Sequence, residues 1–137
     1  MGQSRFHDTI DTNLIVHFLL RDNKQYKSVG LLLNEPDVIH HIPDLAITEA
    51  VYVLETHYQQ ERKDIAYILQ LFLSEFDDVL EYNHELFELA FPFWVNHSAL
   101  SFNDCCMAAY AELEKAEPLF TFDKTLAKQH PSAKVLD

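Results

Sequence analysis

Short runs of β-branched and aromatic residues alternate along this chain with longer segments whose apolar side chains recur at helical spacing. That alternation constrains the fold most, because strands separated by helices close into a mostly parallel sheet covered on its faces. The spacing predicts strands over 5–10, 38–42, 79–82, 118–122 and 134–136. It predicts helices over 11–20, 24–34, 48–58, 61–76, 85–97, 102–115 and 124–129. Pro92 falls inside the helix at 85–97 and is expected to kink or divide it. The expectation is a helix-rich α/β domain.

Only two glycines occur, Gly2 and Gly30, which excludes a glycine-rich phosphate loop and disfavours an all-β fold built on tight turns. Nearly half of the residues are apolar, which excludes a disordered chain. No repeat, low-complexity tract or linker interrupts the 137 residues, so one domain spanning 1–137 is expected. No apolar run approaches the ~20 residues of a membrane helix. The longest candidates, 14–20 and 65–73, are interrupted by His17 and Gln70. The opening MGQSRFHDT lacks the apolar core of a secretory signal. Cys105 and Cys106 are adjacent, which suits neither a structural disulfide nor a metal-ligand spacing and reads as two small buried residues on a helix. These features point to the cytoplasm.

The formal net charge is −12, from 22 acidic and 10 basic residues. Phosphate backbones call for cationic contacts, so this balance is awkward for a nucleic-acid enzyme unless bound metal ions neutralise part of it. It also suits a chain that rests against a basic protein partner. Most of the acids, among them Glu61, Asp64, Glu75, Glu112 and Glu114, fall on polar helix faces where solvation is the default.

Four acids have a different setting. Asp11 and Asp123 each stand at the end of an expected strand and open an expected helix, where ligands gather in parallel α/β sheets. Each is equally well placed to serve only as a helix N-cap. Glu49 lies in Ala46-Ile-Thr-Glu-Ala-Val-Tyr-Val-Leu54, an otherwise apolar stretch in which a carboxylate is costly unless hydrogen-bonded, charge-paired or metal-bound. Its simpler explanation is an acid in the first turn of a helix, beside Thr48 as cap. Asp104 stands where the apolar helix Asn103-Asp-Cys-Cys-Met-Ala-Ala109 begins, and a first-turn acid again accounts for it. Carboxylates gathered within a few ångströms stay ionised together only when a cation neutralises them, and oxygen ligands select Mg²⁺ or Mn²⁺ over zinc. Such a cluster would activate water against a phosphodiester.

No competing chemistry has comparable support. His40 and His41 are consecutive on an expected strand and must point to opposite faces, so they cannot jointly hold one metal ion with ease. His7, His17, His57, His84, His97 and His130 are scattered, with no H-x-x-x-H on a helix. Ser4 and the other serines lack a G-x-S-x-G context.

Four blocks occur in order: Ile10-Asp-Thr-Asn-Leu-Ile15, Ile47-Thr-Glu-Ala-Val-Tyr-Val-Leu-Glu55, Ser101-Phe-Asn-Asp-Cys-Cys-Met-Ala-Ala109 and Phe120-Thr-Phe-Asp123. Together they resemble the acidic motifs of PIN-domain nucleases, most closely the VapC-type toxins of toxin–antitoxin pairs, over nearly the whole chain from Asp11 to Leu136. Each block alone is moderately specific; their order makes them more so. The resemblance implies a three-layer α/β fold with a central, mostly parallel sheet of four to five strands flanked by helices. It implies an Mg²⁺- or Mn²⁺-dependent endoribonuclease. Asp11 and Asp104 would be the principal metal ligands, Glu49 would complete the acidic pocket, and Asp123 would bind a second metal or orient the water. Asn13 and Thr121 would support the carboxylates by hydrogen bonds. Toxins of this kind form homodimers and are silenced by a small antitoxin. Phe102-Asn103 departs from the small or acidic residues common before the third motif's Asp, while Asp104 and the helix after it are retained.

RNA contacts would fall to Lys124 and Lys128, near Asp123, and to Arg21, which with Lys24 and Lys27 follows the first helix. Arg62 and Lys63 read as solvated helix charge. The alternatives are a PIN-fold nuclease of RNA or DNA processing with no antitoxin, or a non-catalytic regulatory or binding module, because fold does not decide function.

Overall fold

The computed structural model describes residues 5–21 and 23–137, so Gly2 and Ser4 lie outside the described residues. The chain forms two compact units, Met1–Tyr82 and Asn83–Asp137.

In the first unit, strand β1 (Phe6–Thr9) leads to helices α1 (Thr12–Leu19) and α2 (Asn23–Leu33). Strand β2 (Val38–His41), helices α3 (Asp44–Thr56) and α4 (Arg62–Glu75), and the two-residue strand β3 (Leu80–Glu81) follow. The sheet order is β1-β2-β3, parallel throughout, with Phe6 opposite Val38 and His40 opposite Leu80. A helical pair separates successive strands, which is what parallel pairing requires of a connection. One face of each helix carries the burial: Ile47, Val51 and Leu54 on α3, and Ile65, Leu69 and Phe72 on α4, follow the i, i+3, i+4 spacing of their sequences.

In the second unit, α5 (His84–Asn96) and α6 (Phe102–Leu113) precede strand β4 (Leu119–Thr121), helix α7 (Lys124–Gln129) and strand β5 (Ala133–Val135). β4 and β5 pair in parallel, with Leu119 opposite Ala133. Phe102 packs on Phe91 and edge-on to Trp94, at centroid distances of 4.8 and 5.2 Å, while Cys105, Ala108 and Ala109 let α6 approach closely. Both cysteines are buried and unbridged, as expected of small core residues.

Five strands and seven helices are present among the described residues, with the strands divided into ladders of three and two. One expectation is corrected. The third helix begins at Asp44 rather than Thr48: Pro43 is its N-cap, with the Pro43 carbonyl accepting from the Ala46 N–H at 2.9 Å. Thr48 instead donates its hydroxyl to the Leu45 carbonyl within the helix. Pro92 does not divide α5. It lies on an exposed face beside exposed Glu88, so water can serve the carbonyl that loses its N–H partner. Its own carbonyl accepts from Asn96 Nδ2 at 2.9 Å.

Candidate functional site

In the first unit the acids are organised around Thr12. β1 ends at Thr9, and the Ile10 N–H continues the ladder by donating to the His41 carbonyl at 2.8 Å. Asp11 then turns the chain into α1 as its N-cap, with φ −83° and ψ 160°, and its Oδ1 accepts from the Thr12 N–H at 2.7 Å. Thr12 is buried, and its hydroxyl donates to Glu49 Oε2 at 2.9 Å, across from α1 to α3. One residue therefore holds Asp11 through its backbone and Glu49 through its side chain. The only signal of this role in the sequence is a threonine directly after a strand-end aspartate.

Glu49 corrects a second expectation. It is exposed, in the second turn of a helix that starts at Asp44, and its apolar neighbours in sequence point to the other side. Its carboxylate accepts from Thr12 and is otherwise open to solvent. Asn13 is exposed and lines a groove between α1 and α2, with Leu14, His17 and Val29, rather than bonding either acid. Arg21 lies beyond the far end of α1, about 12 Å of helix from the Asp11 cap. Its guanidinium is 6.0 Å from the Tyr26 ring centre. Arg62 pairs with Glu55 at 2.9 Å and Lys63 approaches Glu61 at 3.8 Å, in keeping with ordinary helix charge.

In the second unit Asp104 and Asp123 both occupy helix N-termini. Ser101 caps α6, accepting from the Asp104 N–H at 3.1 Å, which places the half-exposed Asp104 carboxylate in the first turn. Asp123 caps α7, its Oδ1 accepting from the Leu126 N–H at 3.0 Å. Its own N–H donates to Thr121 Oγ1 at 2.9 Å, so Thr121 fixes the turn from β4 into α7. Lys124 and Lys128 are exposed on α7, one turn apart. The ionisation of His130 is displaced. Burial lowers its pKa, Glu112 and Glu117 oppose the shift, and His97 adds to it. The ring lies on Phe93 at 4.2 Å, and its Nδ1 accepts from the Ser132 N–H.

The carboxylates of Asp11, Glu49 and Asp123 each accept one defined hydrogen bond, whereas Asp104 is fixed through its backbone N–H; among the described residues none of the four is ion-paired with a lysine or arginine. Oxygen donors of this kind suit Mg²⁺ or Mn²⁺. Among the described residues no three His, Cys, Asp or Glu side chains are grouped so as to hold a metal ion. The structure brings Asp11 and Glu49 together around Thr12.

A family model described as the PIN domain matches residues 9–130. The chain belongs to the PIN domain family. PIN domains are generally metal-dependent nucleases, and the match spans all four acids. No curated protein matches this PIN domain chain. Among its described residues no helix is long and apolar enough to cross a membrane.

Proposed function

We propose that this PIN domain protein is an endoribonuclease dependent on Mg²⁺ or Mn²⁺, and that it is the VapC-like toxin of a toxin–antitoxin pair. The observation that carries the reading is the Asp11–Thr12–Glu49 arrangement at the end of a parallel strand, within a PIN domain match. In this reading the whole chain acts as one nuclease domain, works in the cytoplasm and forms a homodimer. The net charge of −12 supports a small basic antitoxin as its partner.

Asp11, Glu49, Asp104 and Asp123 are the metal-binding carboxylates of the proposal. A bound divalent cation supplies activated water and offsets the charge that develops on the phosphodiester. Thr12 holds Asp11 and Glu49 so that Asp11 Oδ2 and Glu49 Oε1 remain for that ion. Thr121 and the Leu126 N–H do the same for Asp123, leaving its Oδ2. Lys124 and Lys128, with Arg21 more remote, contact the phosphates of the RNA.

The capping roles dictate the test. Asn caps a helix about as well as Asp, so Asp11→Asn and Asp123→Asn remove charge while keeping the hydrogen bonds to Thr12 and Leu126. Cleavage of single-stranded RNA with Mn²⁺ should fall at least a hundredfold in Asp11→Asn and Asp104→Asn, with melting temperatures within a few degrees of the parent. Undiminished cleavage by both variants would overturn the assignment. The toxin role is tested separately: expression of the chain should arrest growth, and co-expression of the small protein encoded beside it should restore growth.

A further inference from the structure

Outside the carboxylate motifs, two imidazoles meet on one face of the first unit's sheet. β1 and β2 run parallel with His7 opposite Ile39 and Thr9 opposite His41, so His7 and His41 share a face and meet on the diagonal. His7 Nδ1 and His41 Nε2 are 2.8 Å apart, with ring centroids separated by 5.0 Å. His40 faces the other way: it is fully buried and its Nδ1 donates to Asp8 at 2.6 Å. The alternation that forbids His40 and His41 from sharing a ligand is what delivers His41 to His7. Glu81 on β3 is in register with His41, which places an acid on the same face.

We propose that His7 and His41 form a two-imidazole site for a borderline divalent transition-metal ion of the Zn²⁺, Ni²⁺ or Cu²⁺ class. Imidazole nitrogens bind such ions, whereas Mg²⁺ prefers oxygen. Two nitrogens on one tetrahedral Zn²⁺, each at about 2.0–2.1 Å, are about 3.3 Å apart; at a right angle they are about 2.9 Å apart. The observed 2.8 Å therefore needs an opening of at most about half an ångström, within reach of an exposed ring's rotation. In the metal-free pair one ring nitrogen donates its proton to the other's lone pair. On binding, the donor ring carries its proton on its opposite nitrogen, exchanged through solvent. Both facing nitrogens then present lone pairs and two metal–nitrogen bonds form, with no net proton release and no redox change. Among the described residues no third protein ligand closes the cluster, so water fills the remaining positions. The ion would staple β1 to β2, just ahead of the Ile10–Asp11 turn.

The test uses the full chain without a histidine affinity tag. Calorimetric titration with ZnCl₂ and with NiCl₂, run in excess MgCl₂ to occupy the carboxylates, should give one site, weakened at least tenfold in His7→Gln and in His41→Gln. Asp11→Asn and Asp104→Asn should bind Zn²⁺ as the parent does, which separates this site from the carboxylates. Thermal melts of the metal-free histidine variants confirm that they fold, His7 being exposed and His41 half-buried. Addition of Zn²⁺ should raise the parent's melting temperature and leave theirs unmoved. Parental Zn²⁺ affinity in both histidine variants, or its loss in the aspartate variants alone, would overturn the proposal.

Discussion

Replacing Thr12 by valine isolates the contact that joins Asp11 to Glu49. Valine keeps the volume and branching of a buried residue, so no cavity forms, and the backbone N–H that holds Asp11 is untouched. What is lost is the 2.9 Å hydrogen bond from Oγ1 to Glu49 Oε2, together with a longer 3.4 Å approach to the Ala46 carbonyl. A hydrogen bond to an ionised group contributes about 1.5–3 kcal/mol, the upper part arising where removal strands a buried charge. Glu49 is exposed, so water takes over, and a loss of about 1 kcal/mol is expected. In a double-mutant cycle with Glu49→Ala, urea unfolding should give a coupling energy of at least about 0.5 kcal/mol, the size expected for residues in contact. If Glu49 is held for catalysis, Thr12→Val should also lower the cleavage rate by about tenfold, equivalent to about 1.4 kcal/mol, and Thr12→Ser should restore it. Zero coupling, with each change acting alone, would refute the view of Thr12 as a link between the two acids.

Four further outcomes follow. Because burial lowers the His130 pKa, the folded state binds fewer protons than the unfolded state near the ordinary histidine value. Its contribution is then fully present above about pH 6.5 and is lost as pH falls from there through the folded pKa; the stability difference between wild type and His130→Gln, measured by urea unfolding, should narrow over that interval. At Gly30, inside α2, an added Cβ would meet Phe18 at 3.8 Å, an ordinary contact, and φ is not positive. Gly30→Ala should therefore raise stability by about 0.5–1 kcal/mol, read as a higher melting temperature. For Asp123, alanine should cost about 1 kcal/mol of stability and asparagine much less, since only alanine removes the acceptor for the Leu126 N–H; equal losses would mean that the cap contributes nothing. Chelation by EDTA should abolish RNA cleavage, and added Mn²⁺ or Mg²⁺ should restore it.

The order of elements was legible in the sequence because periodicity and burial agree over most of the chain. Asp11, Ser101 and Asp123 terminate apolar patterns with short polar side chains, and the helices begin there. The third helix starts earlier than its sequence predicts because Thr48 offers a better side-chain cap than Pro43, yet a carbonyl alone starts α3. The exposure of Glu49 is hidden from its local sequence for a related reason. Composition of a window says nothing about direction, and the 100° step of a helix turns one acid out of an apolar run. The pairing of His7 with His41 was invisible to any local reading, since it depends on the register between β1 and β2. Thr12 shows the same limit, because its acceptor on α3 is 37 residues away.

The two parallel ladders also differ in how much chain must be organised before they can close. Phe6 has to find Val38, and His40 has to find Leu80, roughly thirty to forty residues further along, whereas Leu119 needs only Ala133, about fourteen away. Loop-closure entropy grows as three-halves RT times the logarithm of length, so the short crossover through α7 is cheaper by about 0.7–0.9 kcal/mol. On these terms the β4–α7–β5 unit is the kinetically favoured place for strand pairing to begin, and the segment that presents Asp123 would be in its native turn while the strand leading to Asp11 is still searching for its neighbour.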